Sequence, residues 1–405
     1  MKQLFKMAFR DILRHKRRSL FSAVALGLGL TLLLMFASFV EGEIRGSMAT
    51  SIKLDTGHIQ IQAQNYDKNK NSLVWEDLIA NPYQIADQIS NTLPVIAATP
   101  RLFASGVVSE GNASSGVRVV GIDPGSAANE PYETGIVAGE FLQQDDNTGI
   151  LIGKPLANHY KLQPGDSINL LVNTSNGDVD QQQFTIRGVY STESSSLDKV
   201  VVFLTLAKAQ AITQAGDHAS IIFILLQDKN QTDAVVNAIQ AEGLKVVPWL
   251  VLNSFVMEFQ QYADSFMSLF YLIILAITAT VIINTLIMAV YERTREIGIL
   301  SAIGMKSRSI MGVFFIESAI LAFGGIIIGW ILGGIVVAYM TNIGFYIGDF
   351  GLTGFTTGDT IHAYLTLSAG ISLTFLTLIV ALLAAIYPAW LASRMEPVEA
   401  LRNAQ

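Results

Sequence analysis

The sequence predicts a membrane α-helical protein with four transmembrane helices, in which a large α+β extracytoplasmic domain is inserted between the first and second helices. Three observations predict it. Residues 19–40, 267–290, 310–340 and 364–388 are apolar runs, each long enough for the roughly 20-residue helix that crosses a ~30 Å hydrocarbon layer. Residues 41–266 have ordinary soluble composition, so the mean hydropathy of +0.44 averages two unlike parts. Lys and Arg concentrate in some flanks of the apolar runs and are missing from others, which orients a chain in a bilayer.

The first 18 residues carry Lys2, Lys6, Arg10, Arg14, Lys16, Arg17 and Arg18. On the other side of the same segment, Leu4, Phe5, Ala8, Phe9, Ile12 and Leu13 recur at helical spacing, as in an amphipathic helix lying on the inner surface. The 22-residue run that follows exceeds the core of a cleaved signal peptide and lacks a small-x-small exit before Glu41-Gly42-Glu43, so an uncleaved first crossing is expected. The loop at 291–309 holds Arg293, Arg295, Lys306 and Arg308 and the tail at 389–405 holds Arg394 and Arg402, whereas the loop at 341–363 has no Lys or Arg. Both termini and the 291–309 segment are therefore expected in the cytoplasm, and residues 41–266 and 341–363 outside.

Residues 41–56 read as an outward continuation of the first helix, and "GHIQIQA" then alternates as a strand. Strand-like runs recur at "VIAATPRLFASGVVS", "SGVRVVGID", "GILIG", "DSINLLV", "FTIRGVYS", "KVVVFL", "ASIIFILL" and "KVVPWLV", punctuated by turns such as Pro164-Gly165-Asp166 and Asn176-Gly177-Asp178. Shorter helical patterns at "YQIADQISNTL", "LAKAQAITQA" and "NQTDAVVNAIQAEG" make this an α+β body, divided into two subdomains. "SFVMEFQQYADSFMS" reads as a helix leading back into the second crossing. The domain holds 13 Lys and Arg against 25 Asp and Glu, a net −12 without the basic footprint that nucleic acid requires.

Residues for catalysis do not converge. The five histidines, His15, His58, His159, His218 and His362, are too scattered for a metal site, and the lack of cysteine removes disulfides and thiol chemistry. "GILIGKPL" resembles a phosphate loop only superficially, because its glycines are too close and Pro155 stands where the Mg²⁺-binding hydroxyl belongs, so a turn entering a helix is expected. Glu317 is the one acidic residue inside an apolar run; a structural hydrogen bond near the inner interface and a direct transport role both remain open for it. Gly325, Gly329 and Gly333 repeat every fourth residue in the third crossing and make a groove against which another helix can pack closely.

Between the second and third crossings lies "YERTREIGILSAIGMKSRSI". Ile297, Leu300 and Ile303 fall on one side, Glu292, Arg293, Arg295 and Glu296 crowd the start, and Gly304 offers a stop. Spacing within the segment does not pair off these charges. A short helix with an apolar stripe and charges to spare is a docking surface for a cytoplasmic protein, against the plainer alternative of a solvated loop.

The stretch from "INTLIMAVYERTREIGILSAIGMKSRSIMGVFFIESAILAFGGIIIGWILG" resembles the core of the four-helix ABC transporter permeases, the family of lipoprotein-releasing (LolC/LolE-like) transporters, MacB-type macrolide exporters and the cell-division permease FtsX. "YPAWLASRMEPVEALR", "LRHKRRSLFSAVALGLGL" and "ILIGKPLANHYKLQPGDSINLLV" are similar to that family's tail, start and periplasmic domain. The resemblance covers nearly the whole chain, and "TGHIQIQAQ" is most like the lipoprotein-releasing branch. It implies a bacterial inner-membrane permease with a MacB-like periplasmic domain. Its coupling helix is then formed by Glu292, Arg293, Arg295, Glu296, Ile297, Gly298, Leu300, Ala302, Ile303 and Gly304. It also implies a separate ABC-type ATPase that holds ATP and Mg, with no cofactor in this chain, and a second permease copy or paralogue. An outer soluble carrier or membrane-fusion partner and membrane lipids complete the implied surroundings. Mechanotransmission and release of acylated cargo follow from the resemblance, with a non-transporting signalling permease or an exporter of peptides or hydrophobic drugs as the alternatives.

Overall fold

The computed structural model describes residues 2–67, 70, 73–111, 113–239, 241, 243–347 and 358–395. Part of the second outer loop and the "PVEALR" end of the tail, with Arg402, lie outside the described residues. The chain divides into a membrane unit, residues 1–43, 260–345 and 361–405, and an outer unit, residues 44–259 and 346–360.

The amphipathic start is helix α1 (Lys2–Arg14), separated by His15 from α2 (Lys16–Ser51). With no proline to stop it, α2 runs well past the 19–40 stretch expected to cross the membrane. Its last turn opens into a π-helical segment, Ile52–Thr56, that ends at Gly57 with φ +68°. The second crossing begins as early as Ser254, in α10 (Ser254–Glu292), which agrees with the helix read into "SFVMEFQQYADSFMS". A short helix, α11 (Thr294–Ala302), precedes α12 (Ser307–Asn342). The last crossing is not one continuous element but α13 (Leu367–Ala384) and α14 (Ile386–Ser393), broken at Ala385 three residues before Pro388, whose ring clashes with the carbonyl of the preceding turn. Among the described residues, four helical stretches, residues 16–56, 254–292, 307–342 and 367–393, are long and apolar enough to cross a membrane.

The glycine groove of α12 is filled from within the chain. A Cβ on Gly329 would lie 2.8 Å from Leu30 Cβ and 3.0 Å from the Gly27 carbonyl, and one on Gly333 would lie 3.0 Å from Leu34. Gly27 makes the reciprocal approach, 2.8 Å from Ile328, so backbone meets backbone where α2 crosses α12. Thr31 Oγ1 donates to the Gly329 carbonyl at 3.3 Å across this seam.

In the outer unit, β1 (Ile59–Ala63), β2 (Val95–Glu110), β3 (Ala113–Ile122), β4 (Ile136–Gly139), β5 (Gly149–Gly153), β6 (Ser167–Asn173), β7 (Val179–Tyr190), β8 (Val201–Thr205), β9 (Ile221–Leu226) and β10 (Leu244–Pro248) form one sheet. Its order is β10-β1-β9-β2-β3-β8-β5-β7-β4, with β6 bridging β2 and β7. Strand β2 is the beam of the domain. Its first half, Val95–Arg101, pairs with β9, and its second, Leu102–Glu110, pairs with β3. Buried apolar clusters sit on both halves of β2 within this one compact unit. Helices α3 (Pro82–Thr92) and α8 (Thr232–Ala238) cover the β1/β9 half through Ala86, Ile89 and Val235. Helices α5 (Lys154–Tyr160) and α7 (Leu206–Thr213) cover the other half through Leu156, Ala209 and Ile212. Three short helices complete the unit: α4 (Glu130–Thr134), α6 (Ser195–Asp198) and α9 (Trp249–Leu252). "GILIGKPL" is β5 turning into α5, as expected.

Candidate coupling site

Helix α11 starts after Arg293 leaves the helical region at φ −110°, ψ 16°, and it ends before Gly304, whose φ of +90° favours glycine. Its inner side is fixed by packing. Ile297 is buried against Val290, Ile310 and Phe314, with Ala389 and Ala392 of α14 in the same cluster. Gly298 is also buried, and Leu300 is half-buried. Arg295, Ala302, Ile303 and Gly304 are exposed, and Ile299, absent from the expected set, is exposed beside them. The ten expected residues therefore separate into a buried seam and an open edge. Ile303, at 77% exposure, belongs to the edge and not to the stripe formed by Ile297 and Leu300, because the helix ends one residue before it.

The expectation that the charges are left to spare is corrected. Glu292 pairs with Arg18 at the start of α2. Glu296 accepts from Arg14 Nη1 at 2.8 Å. Arg293 is buried, and its Nη1 lies 3.1 Å from Asp11 Oδ2 and 3.4 Å from Glu317 Oε2. Each partner lies outside the segment, so spacing within it carried no sign of them. Among the described residues, only Arg295 of the four has no ion pair. Glu317 makes the structural bond that was one of its two open readings. A cavity of about 280 Å³ lies along the seam between α1, α11 and α12, floored by Ile297, Leu300, Ile310 and Phe314.

At the outer end of α2 a second set of contacts holds the π-helical segment. The Leu54 carbonyl accepts from Arg101 Nη1 at 3.3 Å and from the Tyr132 hydroxyl at 2.5 Å. Arg101 is fully buried with its guanidinium 3.7 Å above the Phe223 ring, and that burial lowers its pKa. Burial also pushes the Tyr132 hydroxyl up to about 12, so it stays a donor. Arg118 Nη2 reaches Asp55 Oδ1 at 2.6 Å. Asn253, just ahead of α10, accepts from Ser51 Oγ at 2.6 Å and donates to Thr56 Oγ1 at 3.2 Å, tying the departing and returning chains together. None of these residues carried a sequence signal beyond Arg101 standing in an otherwise apolar strand. Groups of His, Asp and Glu able to hold a metal ion do not occur among the described residues.

Residues 19–242 match the MacB-like periplasmic core domain family, and residues 268–397 match the FtsX-like permease C-terminal family. The chain is 24% identical to the lipoprotein-releasing system transmembrane protein LolC of Neisseria meningitidis, over 96% of this chain and 97% of that protein. It is likewise 24% identical to LolE of Haemophilus influenzae, over 95% and 94%. The macrolide export ATP-binding/permease protein MacB of Campylobacter jejuni is 25% identical over 98% of this chain but only 61% of its own length. Among solved structures, the periplasmic region of MacB from Actinobacillus actinomycetemcomitans aligns with 52% of this chain and 97% of that one, at 12% identity and a TM-score of 0.35.

Proposed function

The chain belongs to the ABC transporter permease family that joins a MacB-like periplasmic core domain to an FtsX-like permease domain, and from that premise we propose that it couples a separate ATPase to the release of lipoprotein from the outer leaflet of a bacterial inner membrane. The observation that carries the cargo is end-to-end similarity to LolC and LolE, whose names state lipoprotein release, where the ATP-binding/permease protein MacB aligns over about three-fifths of its length. Both termini and α11 face the cytoplasm in this reading, following the Lys and Arg of residues 1–18 and 291–309. ATP and Mg belong to the partner ATPase. Its docking surface is the open edge of α11, Arg295, Ile299, Ala302 and Ile303, with the buried seam behind that edge keeping it from yielding under a push. A second permease, identical or paralogous, completes the pair of coupling helices that two ATPase subunits require.

Acylated cargo suits such a membrane unit. Its chains already lie among apolar helices, whereas a hydrophilic solute needs polar partners at mid-bilayer. Lifting the chains into water costs about 0.8 kcal/mol per CH₂, so a receiving apolar cleft or soluble carrier is part of the proposal. The test reconstitutes the permease with its copurified ATPase in liposomes holding a triacylated lipoprotein, with a candidate carrier outside. ATP-dependent transfer to the carrier is the expected result, lost on Ile299→Glu with Ile303→Glu. Cargo that stays in the bilayer while an outer hydrolase or receptor switches on would establish the signalling alternative instead.

A further inference from the structure

Asp11, Arg14 and Arg18 are spaced three and four residues apart, so they share one face of the near-continuous helix formed by α1 and α2. All three side chains pair across to the α11 region, 274 to 282 positions away in sequence. The signs are complementary in each pair: Asp11 meets Arg293, Arg14 meets Glu296 and Arg18 meets Glu292. The opposite side of α1 exposes Phe5, Phe9 and Leu13, four residues apart, with the Phe5 and Phe9 rings stacked 6.3 Å apart. The start of the chain thus has an apolar face suited to lipid and a charged face whose partners lie at the end of α10, in the link before α11 and on α11 itself.

We propose that α1 is the second half of the coupling element, fixed to α11 by an ionic clasp whose buried hub is Arg293, so that the two helices move as one body. The inference rests on the proposed docking of an ATPase at α11, but the clasp is a separate claim. Arg293, in the link before α11, ties α1 and α12 together through one guanidinium nitrogen: Nη1 donates to Glu317 Oε2 of α12 and lies 3.1 Å from Asp11 Oδ2 of α1. A buried ion pair has a strong preference for its own geometry, because separating the charges leaves one of them dry and unpaired. Displacing α11 therefore draws α1 with it, and α1 leads directly into the first crossing. The outer pairs are more exposed: Arg14–Glu296 joins α1 to α11, and Arg18–Glu292 joins the start of α2 to the end of α10, so the two fix the register between these consecutive helices.

The chain contains no cysteine, so a pair of spin labels can be placed at Leu13→Cys and Ala302→Cys, both exposed positions, in the full-length protein in phosphatidylcholine nanodiscs. Neutral lipid removes any attraction of α1 to the bilayer's charge. The expected result is a single narrow distance distribution. Glu292→Arg with Glu296→Arg should at least double its width, and adding Arg14→Glu with Arg18→Glu, which restores both pairs in reverse, should narrow it again. An unchanged width in the reversed pair overturns the clasp, and so does a four-fold variant as broad as the two-fold one. In the complex with the copurified ATPase, ATP should shift the Leu13 label together with α11 in the unmodified chain and in the four-fold variant. The reversed pair should lose this shift while retaining the ATPase. If no ATPase copurifies with the unmodified chain, the proposed function falls while the width measurement still decides the clasp.

Discussion

Two buried arginines, Arg293 in the membrane unit and Arg101 in the outer unit, solve the same problem with different partners. Arg293 has two carboxylates, Asp11 and Glu317, each on a separate helix. Arg101 has two backbone carbonyls, Leu54 and Ala128, and the face of Phe223. A carboxylate on a helix travels with that helix, so the Arg293 site registers where three helices stand relative to one another. A backbone carbonyl inside a π-helical turn has no such freedom, and Arg101 and Tyr132 together hold the Leu54 carbonyl where the end of α2 joins the sheet. The first site ties separate helices to one another, and the second ties a helix end to the sheet.

The largest effect expected from breaking this contrast is at Glu317. Removing it by Glu317→Ala leaves Arg293 buried with one carboxylate and a lost contact within α12's core, and should cost about 3–5 kcal/mol. Thermal unfolding of the full chain in detergent measures it. A drop no larger than that of an exposed substitution would mean that Arg293 swings out to water and that the site is not a fixed hub.

Gly329→Leu comes next. Its Cβ has no space beside Leu30 and the Gly27 carbonyl, so α2 and α12 must separate, at about 1–3 kcal/mol or more. Because α2 carries the clasp at one end and the Leu54 joint at the other, this variant should loosen helix packing without altering either set of partners. Unfolding midpoint checks the first part, and the Leu13–Ala302 label distance checks the second. An unchanged midpoint would show that the groove faces lipid.

Asp198 sharpens the comparison from another side, being a buried carboxylate with hydroxyl and backbone partners but, among the described residues, no cation in hydrogen-bond contact. It accepts from Thr192 N at 2.9 Å, Thr192 Oγ1 at 2.7 Å and Ser191 Oγ at 3.3 Å, yet burial outweighs them and raises its pKa to about 6. In the unfolded chain the same group titrates near pH 4. Between those values the folded protein retains a proton that the unfolded chain has released, so this group's contribution to stability falls as pH rises from about 4 to about 6 and is level above. Urea midpoints of the wild-type chain across that window should show the fall, and Asp198→Asn should remove it. A fall of the same size in the wild-type chain and in Asp198→Asn would locate the titration elsewhere.

How much of this could be read from the sequence depends on how local each signal is. The four crossings stand out as apolar runs of twenty or more residues, and strands show either by alternation, as in Ile59–Ala63, or as a short apolar run, as in Ile221–Leu226. The α11 segment was visible through the charges that interrupt apolar sequence. What those charges do was not, since Glu292 and Glu296 find Arg18 and Arg14 across most of the chain, and only the three- and four-residue spacing of Asp11, Arg14 and Arg18 hinted at a shared face. The outward continuation of the first helix over residues 41–56 was legible, because a helix already under way runs through polar residues at little cost, and the structure carries it to Ser51 and on through the π-helical turn to Thr56.

The smallest effect expected is at the outer joint. Tyr132→Phe removes one hydroxyl and leaves the ring packed 4.4 Å, centroid to centroid, from Phe203 and 5.9 Å from Tyr190. The Leu54 carbonyl keeps Arg101 as a donor, so the loss is one hydrogen bond of two, about 1 kcal/mol. Unfolding of the full chain should register that small shift. ATP-driven movement of the outer domain, followed by labels on exposed Val137 and on the α11 edge, should fall by more than stability does if the joint transmits motion. A loss of movement no greater than the loss of stability would reduce Tyr132 to a packing residue and leave Arg101, Arg118 and Asn253 to hold the end of α2.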